Sequence, residues 1–168
     1  MYLDIQKDYA VFNSTLAQDE RNDCFVRALA VAGETNYQTA HQVAKEFFQR
    51  KNKKGVLNIV IKNNFKKAAS KGITLGVKKA NIEVLGGESI KNKYKVGGEL
   101  VWRKKTLKSF IQSHPKGNFI VTVAKHAVAL VNGELADWGS EAFKPTRKVN
   151  GAYKIVPEKQ ARQLSLFE

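Results

Sequence analysis

The dipeptide Asn132-Gly133, set between two stretches of mostly apolar residues, constrains the fold more than any other feature of this chain. Asn-Gly tolerates the positive φ that a tight hairpin turn demands at both central positions, so it predicts a two-residue turn joining antiparallel strands. The strands run over residues 126–131 and 134–138, with a further β-rich run at 119–123 just upstream and another at 152–156 that ends at Pro157. Pairing outward from Val131 with Glu134 brings Asp137 opposite Val128, two residues from His126 on the same face. A diagonal pair of this kind is within side-chain reach.

Residues 1–21 are weakly patterned. Asn22-Asp23 then precede an apolar run over 24–32 closed by Gly33, which predicts a short helix with capping side chains before it and the single cysteine, Cys24, in its first turn. A second helix is expected from 37 to about 49, where Tyr37, Ala40, Ala44, Phe47 and Phe48 recur at helical spacing, and a third over 57–69. Glycines at 76, 86, 87, 97 and 98 break residues 73–102 into short strands and turns with a lysine-rich surface, and Thr106 caps a short helix over 107–112. The expected class is α+β, with N-terminal helices packed on an antiparallel sheet. A chain of 168 residues suits one domain, placed at 1–157, followed by an extended tail at 158–168.

Three residues stand out chemically. A cysteine in the first turn of a helix sits among unpaired backbone amides at the positive end of the helix dipole, which favours thiolate over thiol. His126, about a hundred residues later at the start of a strand, is placed to act as a base, and Asp137 across the tight turn is placed to orient its imidazole. His41 and His114 have no comparable context. With one cysteine no internal disulfide is possible, and no metal site or cofactor is expected. The usual glycine-rich phosphate loops are absent, and no nuclease-like carboxylate cluster is visible.

The stretch Asn22-Asp23-Cys24-Phe25-Val26-Arg27-Ala28-Leu29-Ala30, with Tyr37 in a second helix and later Gly117-Asn118-Phe119-Ile120-Val121, His126-Ala127-Val128-Ala129 and Gly133 to Asp137, resembles small phage and bacterial proteins of the papain-like cysteine-peptidase fold. The cysteine helix also resembles that of ovarian-tumour-type deubiquitinases. The resemblance leaves residues 56–105 unmatched. It implies Cys24 as nucleophile, His126 as base and Asp137 as orienting acid. It also implies an oxyanion-holding role for Gln18, six positions before the cysteine, with Asn22 a competing donor. The family includes peptidases, amidases, transferases and inactive relatives, so a shared fold does not fix the reaction.

The tail carries a second resemblance. Gln163-Leu164-Ser165-Leu166-Phe167 is similar to the pentapeptide by which bacterial replication and repair proteins engage the DNA sliding clamp. Leu166 and Phe167 suit an apolar pocket, and Gln163 offers an amide donor and acceptor at its edge. Charge points the same way: 29 Lys and Arg against 15 Asp and Glu give a net charge of +14, concentrated between Arg50 and Lys108. Such a surface favours polyanions, and the candidate DNA contacts are Lys53, Lys54, Lys66, Lys67, Lys78, Lys79, Arg103, Lys104 and Lys105. No apolar run is long enough to span a bilayer, and the N-terminus lacks the features of a secretory signal, which leads to an expected cytoplasmic location. Together these features lead to the expectation of a phage-type, cysteine-dependent hydrolase of peptide or isopeptide bonds, recruited to the host clamp. The alternative is a non-catalytic clamp and DNA binder that redirects replication or repair.

Overall fold

In a computed structural model of the chain, residues 2–4, 15–71, 74–77, 80–137 and 144–157 are described. The element that organises the rest is the cysteine helix, which follows the short helix α1 (Thr15–Asp19) and is α2 (Cys24–Ala32). Seven of its nine residues are buried, because alanines at 28, 30 and 32 let it lie close against the sheet while Phe25, Val26, Leu29 and Val31 fill the space around it. Helix α3 (Tyr37–Phe47) begins at Asn36, whose side chain accepts the Thr39 amide at 2.7 Å. Helix α4 (Asn58–Lys71) contributes Ile61, Phe65 and Ala68 to the same core.

The strands are β1 (Tyr2–Asp4), β2 (Thr74–Val77), β3 (Ala80–Gly87), β4 (Lys91–Val96), β5 (Glu99–Lys104), β6 (Asn118–Val123), β7 (His126–Val131), β8 (Glu134–Asp137) and β9 (Gly151–Val156), with helix α5 (Leu107–Ser113) before β6. Seven of them form one sheet in the order β1-β8-β7-β6-β9-β3-β2, antiparallel except for the parallel β1–β8 pair. The hairpin β4–β5 forms a separate two-stranded sheet. Helix α2 packs on one face of the large sheet against Ile120, Ala127, Ala129 and Ala136, while Leu107 and Phe110 of α5 cover the other face at Phe119, Val121, Val128 and Leu130. Two covered faces explain why β6 and β7 read as nearly unbroken apolar runs rather than alternating ones.

The Asn132-Gly133 turn forms as expected, with φ of 49° and 81°. Asn132 also ties the turn to the loop before β6, since its Oδ1 accepts the Gly117 amide at 3.0 Å. The expected helices and strands are found with boundaries shifted by up to two residues. Strand β1 and helix α1 fall in the weakly patterned N-terminal segment and were not expected; β1 is a three-residue edge strand, too short for alternation to register. The tail expected over 158–168 lies outside the described residues.

A buried ion cluster anchors the segment that leads into Cys24. Glu20 accepts from Arg50 Nη2 at 2.7 Å and lies 3.0 Å from His41 Nε2, while Arg50 Nη2 also donates to the Arg21 carbonyl at 3.1 Å. The Glu20 and Arg50 side chains are only 5% and 1% exposed. Burial opposes ionisation of Glu20, but the hydrogen bonds from Arg50 and His41 outweigh it and hold the carboxyl down at about 2. This contribution to stability is present above the ordinary carboxylate pKa and is lost as pH falls through about 2. Replacing Glu20 with Gln leaves the Arg50 charge buried without its counter-ion. Chemical denaturation at neutral pH is expected to show a loss of about 3–5 kcal/mol, whereas a loss under about 1 kcal/mol would mean that the cluster anchors nothing.

Candidate active site

Cys24 is the first residue of α2 and is half-buried. Asp23 occupies the cap position, yet its side chain makes no capping hydrogen bond, which corrects the expectation from sequence. Its carboxylate instead accepts from Arg27 Nε at 2.9 Å and from the Tyr37 hydroxyl at 2.8 Å. Burial, followed by the hydrogen bond to Asp23, pushes the Tyr37 pKa up, so the phenol keeps its proton and remains a donor. Asn22, in a left-handed conformation at φ 51°, also turns away from the helix and donates to the Lys53 carbonyl at 3.1 Å. The first-turn amides of α2 are thus left without a side-chain cap, beside the thiol.

His126 opens β7, and its Nε2 lies 2.6 Å from Asp137 Oδ1. The register of β7 with β8 runs from Val131↔Glu134 to Ala129↔Ala136, so the next step sets Asp137 opposite Val128, diagonal to His126. The imidazole has a second side-chain hydrogen-bond partner in Cys24, at the opposite wall of the same cleft. Burial alone would lower the His126 pKa; the hydrogen bond to Asp137 and then that to Cys24, with the charges of both, overcome it and raise the value to about 9. The imidazole therefore carries a proton on each nitrogen at neutral pH. Cys24 and His126 share a cleft of about 490 Å³ whose rim includes Asn22, Lys54, Leu57 and Lys125. Asn58, which also lines the cleft, donates from the start of α4 to the Val123 carbonyl at the end of β6 at 2.9 Å.

The three residues singled out as nucleophile, base and orienting acid are thus brought to one place. Gln18 is exposed on α1 and is not among the residues lining the cleft, whereas Asn22 is. His41 belongs to the Glu20–Arg50 cluster, and His114 stacks on Phe110 with ring centroids 4.0 Å apart. The basic residues are spread over several elements. Lys53 and Lys54 are exposed near the cleft and Lys66 and Lys67 are exposed on α4, while Arg103 and Lys104 end β5 and a half-buried Lys105 follows. Lys78 and Lys79, like the tail residues Gln163, Leu164, Ser165, Leu166 and Phe167, lie outside the described residues. Among the described residues, no group of three or more His, Cys, Asp or Glu is arranged to hold a metal ion, and no helix is long and apolar enough to cross a membrane. The cleft wall at Lys54 to Asn58 was missed by sequence reasoning; the one local signal is an asparagine at a helix start.

A His126 pKa raised to about 9 has a signed consequence for stability. The stabilisation, on the order of 3 kcal/mol, is fully present below the unfolded value near 6.5 and is lost as pH rises through about 9. The melting temperature is expected to fall by several degrees between pH 7 and 10 in the native chain, beyond any fall in Asp137→Asn. Parallel curves for the two proteins would contradict the assigned ion pair. Comparison of the chain with family models, with curated proteins and with solved structures finds no match.

Proposed function

We propose that this protein is a cysteine-dependent hydrolase of peptide or isopeptide bonds, with Cys24 as nucleophile, His126 as acid and base, and Asp137 as the group that orients the imidazole. The observation that carries the reading is the 2.6 Å contact between His126 Nε2 and Asp137 Oδ1, on an imidazole that also has the Cys24 side chain as a partner. Cys24 Sγ attacks the carbonyl carbon, and the proton of the thiol resides on His126. The uncapped amides at the start of α2 are placed to receive the developing oxyanion. His126 then gives its proton to the leaving amine as the carbon–nitrogen bond breaks, and a thioester remains on Cys24. Water, deprotonated by the now neutral imidazole, attacks the thioester and releases the carboxylic acid, returning the proton to the Cys24–His126 pair. The papain-like resemblance supports the same roles, and of the two side-chain amides it suggests for the oxyanion, Asn22 lines the cleft whereas Gln18 does not.

Recruitment is the second half of the proposal. The five-position match at Gln163 to Phe167 supports docking to a bacterial sliding clamp, and the net charge of +14 supports weak contact with the DNA that the clamp encircles. The chemistry would then act on clamp-associated proteins in a bacterial cytoplasm, as suits a phage-type protein. A purely scaffolding clamp and DNA binder would use the same tail without needing the ordered Cys24–His126–Asp137 set.

Alkylation of Cys24 by iodoacetamide, followed by mass spectrometry, tests the first half. His126→Ala is expected to slow labelling at neutral pH by roughly tenfold or more, with Asp137→Asn intermediate. Equal rates in all three proteins would leave the scaffold reading. For the second half, surface plasmon resonance on immobilised clamp is expected to give micromolar affinity, roughly 8 kcal/mol, abolished by Leu166→Ala with Phe167→Ala. Undiminished binding by a chain lacking the tail would rule out the motif.

A further inference from the structure

The β4–β5 hairpin is joined to the domain only near its base among the described residues. Lys105 donates its amide to the Ile90 carbonyl at 2.7 Å and accepts from the Val149 amide at 3.0 Å. Lys104 Nζ reaches Asn150 Oδ1 at 2.8 Å, and Asn92 Nδ2 lies 3.4 Å from Ser109 Oγ of α5. Beyond these ties the ribbon runs to a tight turn at Gly97 and Gly98, both at positive φ. The register pairs Lys91 with Lys104, Lys93 with Trp102 and Lys95 with Leu100. Since alternate residues of a strand share a face, these six side chains form one face and Glu99, paired with Val96, belongs to the other. That face carries four lysines, no carboxylate and two large apolar side chains in solvent, Trp102 at 60% and Leu100 at 61% exposure. Lys93 Nζ lies 5.6 Å from the centre of the Trp102 ring.

We propose that this face binds single-stranded DNA, with Trp102 stacking on a base and Lys91, Lys93, Lys95 and Lys104 contacting the phosphates on either side. Four cations with no counter-ion among the described residues are complementary to a polyanion and costly to bury against an apolar protein surface, where lysine is disfavoured. The exposed indole decides the strand type. In a duplex the base faces are already stacked on one another, so a flat aromatic ring offers nothing to the backbone; a single strand presents unstacked faces, and stacking on an aromatic is tolerant of sequence. The choice of DNA over RNA rests on the clamp-docking reading of the tail; the choice of single strand does not. This assigns Trp102, Lys91, Lys93 and Lys95 a role that the count of basic residues alone did not give them.

Fluorescence anisotropy with the full chain and no clamp present, using labelled oligo-dT of about 20 nucleotides, oligo-U of the same length and a mixed-sequence duplex, tests the proposal at site sizes typical of such grooves. The expected result is tighter binding to oligo-dT than to duplex or to oligo-U. Trp102→Ala should weaken it by about five- to a hundredfold and Trp102→Phe by much less. Lys93→Ala with Lys95→Ala should flatten the dependence of log K on log salt by roughly 1.4. Each variant is checked for an unchanged melting temperature, and Trp102→Phe keeps the test informative should the alanine variant misfold. Duplex bound as tightly as oligo-dT, a preference for oligo-U, or full affinity in a folded Trp102→Ala variant would overturn the proposal. None of these outcomes bears on Cys24 labelling or on clamp binding, so a failure here is distinct from a failure of either.

Discussion

The burial of α2 across β6 and β7 is the constraint on which the candidate site depends. Its alanines approach Ala127, Ala129 and Ala136 of the sheet closely enough that a larger residue on either side would push the helix away. Asn118 of β6 fixes the far end by donating its side-chain amide to the Ala32 carbonyl at 2.8 Å, a buried bond between residues 86 apart in sequence. With that end pinned and the apolar flank packed, the position of Cys24 relative to His126 follows from the helix as a rigid body. The core thus brings the thiol to its contact with His126.

At the near end, polar interactions take over from packing. Asp23 gives up its capping role to hold Arg27 and Tyr37, Asn22 turns to Lys53, and Glu20 locks Arg50 and His41 beneath the same segment. Each of these side chains serves the backbone that leads into Cys24, and in doing so leaves the first-turn amides uncapped. A helix that caps itself would be more stable by about 1 kcal/mol. The arrangement here forgoes that gain and leaves the first turn without a cap from Asp23.

Much of this was legible in the sequence where the signal is local. Asn132-Gly133 fixed the β7–β8 register, and with it the diagonal reach from His126 to Asp137, because a two-residue turn leaves no freedom in pairing. The bounds of α2 followed from an apolar run with Gly33 behind it. What could not be read was the partner choice of each polar side chain. Asp23 and Asn22 look like caps in sequence, and only the fold reveals that Tyr37 and the Lys53 carbonyl compete for them. The wall formed by Lys54, Val56 and Leu57 likewise depends on the Asn58–Val123 contact across 65 residues. Strand β1 pairs with β8 across more than 130 residues, which no local pattern encodes. The β4–β5 hairpin shows a mixed case: short lysine-rich strands broken by glycines were visible, but the sharing of one face by Trp102 and the lysines emerges only from the cross-strand register.

Everything proposed for catalysis turns on the imidazole of His126 being held between a carboxylate and a thiol. Its protonation can be observed directly by nitrogen-15 NMR of the labelled imidazole, following both ring nitrogens from pH 6 to 10. The expected spectrum at neutral pH is that of a doubly protonated ring, titrating near pH 9 in the native protein and lower in Cys24→Ser. A ring already neutral at pH 7.5, or a titration unmoved by that substitution, would contradict the placement of His126 between Asp137 and Cys24.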